Sequence, residues 1–207
     1  MVNIKRVNMN ERFFELPKEK QDRMINGALE VFGLKGYKYA STDDMVRACG
    51  VSKGLWFHYF DNKKGLYNYV CTYAVRFALL EYSIRLDGFE TDYFTLRRRI
   101  EEIKMSMTDK YPYLPLFIVS FLEEDYDDVV TDIENLKQEY RNKYRAFFHS
   151  LSTTGFEAPS DMKDCDELLD NAFDNILKNK YKSPVFSPDD YLKEVDRYLK
   201  LVSKLNR

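Results

Sequence analysis

The chain is predicted to be all-α, and three observations predict it. Apolar residues recur at spacings of three and four through most of its 207 residues, the mark of amphipathic helices. No proline lies between Pro17 and Pro112, so that span contains none of the helix breaks proline imposes. Two short helical segments within residues 41–60 are joined by Cys49-Gly50-Val51, a sharp turn of the kind glycine permits. Counting periodic segments gives about nine helices.

In chain order, Pro17 suits the first turn of an opening helix over Lys18–Phe32, whose Ile25, Ala28, Leu29 and Phe32 form one face. Ser41 and Asp44 have the form of a capping box, so a helix starts near Thr42 with Met45, Val46 and Ala48 facing a core. Gly50 stops it, and Ser52 caps a second helix from Lys53 to Tyr59. Asn62 caps a long helix from Lys63 to Leu86, which Gly88 ends. The next helix, Tyr93–Met107, is expected to carry Arg97-Arg98-Arg99 on its exposed side, solvated or paired with Glu101 and Glu102. LPLFIVSFL, whose start Pro112 and Pro115 bracket, is too short to cross a bilayer and reads as a buried helix. Val129, Ile133, Leu136, Tyr140, Tyr144, Phe147 and Leu151 line the core face of another, and STTGFEAPS at 152–160 reads as a loop. Two last helices carry wide apolar stripes, one through Leu169, Phe173, Ile176 and Leu177, the other through Tyr191, Val195, Leu199 and Val202. Such stripes need a partner, either within the chain or on a second copy.

Composition excludes several functions. With 44% hydrophobic and 15% aromatic residues the chain can bury a core without disulfides. It has neither a membrane-length apolar run nor a signal-peptide pattern, so a cytoplasmic location with no membrane partner is expected. Cys49, Cys71 and Cys165 are odd in number and lack a close pair, which fits small buried residues in a reducing compartment. The two histidines, His58 and His149, lie far apart, and no Gly-rich phosphate loop is present. The acid pairs Asp127-Asp128 and Asp189-Asp190 are adjacent, so their side chains diverge on a helix. No catalytic set, metal or cofactor is therefore expected.

Charge is divided unevenly. Residues 1–70 carry 12 Lys+Arg against 8 Asp+Glu, a net of +4, while the rest carries 20 against 26, a net of −6. A basic head can follow a phosphate backbone while an acidic body is repelled by it. The helix from Lys53 to Tyr59 opens with a cation and a residue without a side chain, followed one turn on by Phe57 and His58, groups able to touch groove walls or phosphates. That suits a helix-turn-helix entering the major groove of double-stranded DNA. On spacing alone, an ordinary helical hairpin with a small-residue turn stays open.

Residues 11–70 resemble the N-terminal domain of the tetracycline-repressor (TetR) family of bacterial transcription regulators. The resemblance is carried by the opening helix, GYKYAS at 36–41, ACGVSKG at 48–54, WFHYF at 56–60 and NKKGLY at 62–67, in the family's order and spacing. Ser41 replaces the family's usual Thr cap, Cys49 its usual Ala, and Phe57 a Tyr whose hydroxyl meets a phosphate. The resemblance implies a helix-turn-helix DNA-binding domain at 17–66 and an effector-binding and dimerisation domain at 67–207. DNA contacts are then expected from Ser41, Thr42, Ser52, Lys53, Gly54, Phe57, His58 and Tyr59. Lys63 is expected on a phosphate, or, without the resemblance, as a solvated lysine. It further implies a repressor that binds a palindromic operator as a homodimer and is released by a small apolar or aromatic effector. Pocket candidates are Tyr73, Phe77, Met105, Phe117, Phe121, Tyr144, Phe148 and Phe173, each of which also reads as plain core. The dimer interface is expected at Leu169, Phe173, Ile176, Leu177, Leu199 and Val202. The alternative is a ligand-independent protein-interaction module with a TetR-like fold.

Overall fold

The computed structural model describes residues 11–86, 92–148 and 159–205. Among these, nine α-helices occur: α1 (Lys18–Tyr39), α2 (Thr42–Cys49), α3 (Lys53–Tyr59), α4 (Lys63–Arg85), α5 (Tyr93–Ser106), α6 (Leu114–Glu123), α7 (Asp127–Ala146), α8 (Pro159–Lys180) and α9 (Pro188–Leu205). A 3-10 turn at Glu11–Phe13 precedes them. The all-α expectation holds.

Helix boundaries follow local chemistry. Asp44 N–H donates to Ser41 Oγ at 3.1 Å and Ser41 N–H to Asp44 Oδ2 at 3.4 Å, closing the capping box that starts α2. Gly50 ends α2 at φ 62°, the left-handed region that costs any residue with a Cβ. Ser52 Oγ then accepts from Leu55 N–H at 3.2 Å and starts α3. Asn62 caps α4 by accepting from Gly65 N–H at 2.8 Å.

The chain divides into two compact units, the described parts of Met1–Phe77 with Lys110–Tyr140, and of Ala78–Asp109 with Arg141–Arg207. In the first, α1 packs against α2 on one side and α6 on the other, burying Met24, Ile25, Ala28, Leu29 and Phe32. Leu114, Leu116, Phe117 and Phe121 of α6 are buried too, as its apolar sequence requires. Polar bonds fasten the far end of α1 to the α6–α7 junction. Tyr37 N–H donates to Glu124 Oε2 at 2.8 Å, its hydroxyl to Asp128 Oδ2 at 2.5 Å, and buried Lys137 donates to the Glu124 carbonyl. This unit takes α6 and most of α7 into the body of the head, whereas the sequence places them in a separate domain from residue 67.

The second unit is built on α5, α8 and α9, with α9 lying against both of the others. Its centre is polar. Arg97 is fully buried, donates to Asp170 at 2.6 Å and to the Tyr144 hydroxyl at 3.2 Å, and lies 3.6 Å from Asp166. The rings of Phe148 and Phe173 flank its guanidinium at 5.6 and 5.4 Å. One turn on, buried Glu101 accepts from Lys104 and from the Tyr191 hydroxyl, at 2.8 and 2.6 Å. Arg98 pairs with Glu102 and Asp196, and Arg99 with Glu102.

Several sequence readings change. Arg97 is not on an exposed side: it stands four residues after Tyr93 and three before Ile100, inside the buried stripe of α5. The opening helix continues beyond Phe32 to Tyr39, broken at Gly36 by a positive φ of 67°. Pro159 and Ser160, taken as the end of a loop, begin α8. Gly88, His149, Leu151 and the loop at 152–158 lie outside the described residues.

Candidate nucleic-acid interface

A seven-residue helix turns by about 100° per residue, which sorts α3 into two arcs. Trp56 and Tyr59 fall together and are buried. Around the opposite arc come Lys53, Phe57, Gly54, His58 and Leu55 in angular order, all exposed. The inner arc is held by rings: Phe13, fully buried, lies 6.0 Å from Tyr59, 5.2 Å from Phe60 and 5.6 Å from Tyr69. Phe60 also meets Trp56 at 6.0 Å. This plug fixes which side of α3 faces out.

The outward arc is nearly uncharged. Its one permanent cation, Lys53, reaches back across the turn to Asp43 at 2.9 Å, with both groups exposed. Lys35 pairs with Asp44 at 2.8 Å, and this ammonium together with the Ser41 hydroxyl holds the Asp44 carboxyl down at about 2. Beside Gly54 nothing stands within 4 Å of where a Cβ would sit, so its face is open to an approaching molecule. Leu55 is 39% exposed and Phe57 45%, large apolar groups on a surface otherwise made of polar residues.

Ser41, Ser52, Lys53, Gly54, Phe57 and His58 thus stand exposed around the α2 and α3 N-termini and along α3, with Thr42 half-buried among them. Two expected contacts do not fit. Tyr59 is buried with Phe13, so its ring belongs to the core. Lys63 is half-buried and turned inward: its ammonium donates to the carbonyls of Tyr37 and Ala40 at 3.0 and 3.1 Å and lies 4.3 Å from the centre of the Tyr37 ring. Burial lowers its pKa, the outcome for a lysine serving as a clamp between α4 and the end of α1. Sequence reasoning missed Leu55, although its place at the end of the outward arc, beyond His58, was readable from the helical spacing. Cys49 is a buried thiol pushed up to about 12, mainly by burial, which suits packing and not redox chemistry.

Residues 24–70, which contain α2 and α3 but not the Phe13 of the plug, match the family model of the bacterial regulatory proteins of the tetR family. The match is to this segment of the chain. The fold agrees over nearly its full length: a TetR family transcriptional regulator from Chloroflexus aurantiacus J-10-FL superposes with a TM-score of 0.58 and 20% identity, covering 96% of each chain. The uncharacterized HTH-type transcriptional regulator YuxN of Bacillus subtilis is 39% identical over 49 residues, 24% of this chain but only 17% of that protein. The chain thus spans less than a fifth of that relative's length. The biofilm operon icaADBC negative transcriptional regulator IcaR of Staphylococcus aureus is 22% identical over 130 residues, 62% of this chain and 69% of that one.

The effector candidates split between the two units. Tyr73, Phe77, Phe117 and Phe121 belong to the first; Met105, Tyr144, Phe148 and Phe173 to the second. Phe117 and Phe121 stack on each other in the core of α6 and Met105 is buried, so these read as packing. Tyr73 and Phe77 stay half-buried, edge-on to Tyr111 at 5.6 and 5.0 Å.

The expected dimer residues need correction. Leu169, Phe173, Leu177, Leu199 and Val202 are buried inside the single chain, on the stripes that α8 and α9 turn toward each other and toward α5. Ile176 is half-buried. Among the described residues of α8 and α9, the large apolar side chains still open to solvent are Leu168 at 59% and Leu201 at 56%, the latter beside Tyr198 in a groove rimmed by Arg197, Lys200 and Lys204. The sequence pattern found the stripes but not which edge of each stays uncovered. Among the described residues no helix is long and apolar enough to cross a membrane.

Proposed function

We propose that this chain is a DNA-binding transcriptional regulator, a repressor that binds a palindromic operator as a homodimer in the cytoplasm. The observation that carries the reading is α3 itself: an aromatic plug fixes its inner arc, and its outer arc, with Gly54 open, is free to enter a major groove. A single head of this size reads one short half-site, so two heads related by a two-fold axis provide the affinity. The face assigned to the symmetry mate is the uncovered edge of α8 and α9, centred on Leu168, Ile176 and Leu201. The negative regulator IcaR, similar over most of the chain, supports the sense of repression. A small aromatic or apolar effector that prefers the body conformation with misplaced heads lowers operator affinity by its differential binding. Tyr73 and Phe77, half-buried against Tyr111, are the first unit's candidates for meeting it.

Selection from random duplexes tests this. The expected product is a symmetric motif with half-site centres about one helical turn, roughly 34–36 Å, apart or further. Affinity indifferent to sequence overturns the reading. In parallel, Leu168→Glu with Leu201→Glu should halve the sedimenting mass while far-UV circular dichroism holds. A folded double variant that stays dimeric removes the assigned face.

A further inference from the structure

We propose that α3 reads its operator chiefly through thymine 5-methyl groups, with Leu55 and Phe57 as the specificity-determining side chains. The inference rests on the DNA-binding reading and adds what the interface selects.

The five residues on the outward arc are Lys53, Phe57, Gly54, His58 and Leu55. None is Arg, Asn, Gln, Asp or Glu, so the arc lacks the forks that bind guanine or adenine edges bidentately and the carboxylate that accepts from cytosine. Lys53, the only permanent cation, is engaged by Asp43 at 2.9 Å. Hydrogen-bond readout from α3 is therefore sparse. Two large apolar side chains are held on this polar surface instead, Leu55 on one flank of Gly54 and Phe57 on the other. Phe57 meets buried Trp56 edge-on at 5.0 Å, yet it and Leu55 stay partly exposed, because the plug of Phe13 against Tyr59 and Phe60 fixes the rotation of α3. In the major groove only one base carries an apolar projection, the C5-methyl of thymine. Gly54 between them offers no side chain to hold the helix off the base edges. Burying both groups on methyls turns a cost of exposure into discrimination for T·A pairs.

The test uses the full-length protein and the duplex it selects. Each thymine is replaced in turn by deoxyuracil, which keeps every hydrogen-bonding group and lacks the methyl. Affinity should fall about fourfold at one or two positions in each half-site, the effect of one methyl-sized apolar group. Replacing that T·A pair by C·G should weaken binding further, and 5-methylcytosine at the same position should recover part of the loss. Leu55→Ser should abolish uracil sensitivity at one position and Phe57→Ala at another, with helicity unchanged. Wild-type affinity indifferent to uracil at every position overturns the proposal and leaves operator binding intact, as do folded variants that keep the full uracil effect. A protein with no sequence preference at all overturns both this inference and the reading beneath it.

Discussion

The densest run of arginine in this chain lies in the second unit, and the helix that faces outward from the first has a single lysine. Arg97 is sunk among Asp166, Asp170, Tyr144 and two phenyl rings, whereas Leu55 and Phe57 stand in the open on α3. Residue type thus misleads in both directions. The buried guanidinium is held through its two terminal nitrogens by acids from a facing helix, which offsets its desolvation, while its Nε has no hydrogen-bond partner among the described residues. The exposed apolar side chains leave surface uncovered in the free protein, Phe57 beyond its edge contact with Trp56, and that surface is what a bound molecule can bury.

The largest effect separating the two regions is expected from Arg97→Ala. It leaves Asp166 and its neighbours around an uncompensated site, and unfolding in urea should register a loss of about 3–5 kcal/mol. A loss below about 1 kcal/mol would mean that the cluster is solvated and the contrast with the head is overstated.

Lys63→Ala sharpens the comparison from the side of the head. As a clamp on the carbonyls of Tyr37 and Ala40, the lysine should be worth about 2 kcal/mol of stability. If it instead served a phosphate, stability would hold while the salt dependence of operator binding became shallower by about one unit.

The smallest effect is the most diagnostic, because the two regions respond to acid with opposite signs. Asp44 in the head is held down at about 2 by Lys35 and Ser41. Its contribution is present above its ordinary value of 3.8 and is lost as pH falls through about 2. Asp166 is raised by burial, against the pull of the Tyr93 hydroxyl and Arg97. The native state therefore takes up its proton first, so as pH falls from Asp166's raised value toward 3.8 this residue's penalty is relieved. Carboxyl resonances followed by NMR should show Asp44 titrating below 3.8 and Asp166 above it. Midpoints in the reverse order would contradict both environments.

Much of the head was legible because its signals are local. Ser41 with Asp44, Gly50 and Ser52 each act within four residues, and all three do what their chemistry prescribes. Charged residues inside apolar stripes were not legible in the same way. Arg97 and Lys137 sit at core positions of α5 and α7, yet their burial depends on partners distant in sequence, Asp170 for one and the Glu124 carbonyl for the other. The spacing held the clue, since each falls three or four residues from buried apolar neighbours. Residue type concealed it. Stripe edges were harder still: Leu168 and Leu169 are adjacent and equally apolar, and only the facing helices decide which is covered.

The bonds from Tyr37 to Glu124 and Asp128, with the packing of α1 on α6, bear on protein engineering. Cutting this chain near residue 66 would strip α1 of the apolar helix that covers it and leave the backbone N–H of Tyr37 without its carboxylate. A transplant that keeps its shape must bring residues 110–140 along with the first 77, which makes the exchangeable part of this chain discontinuous in sequence.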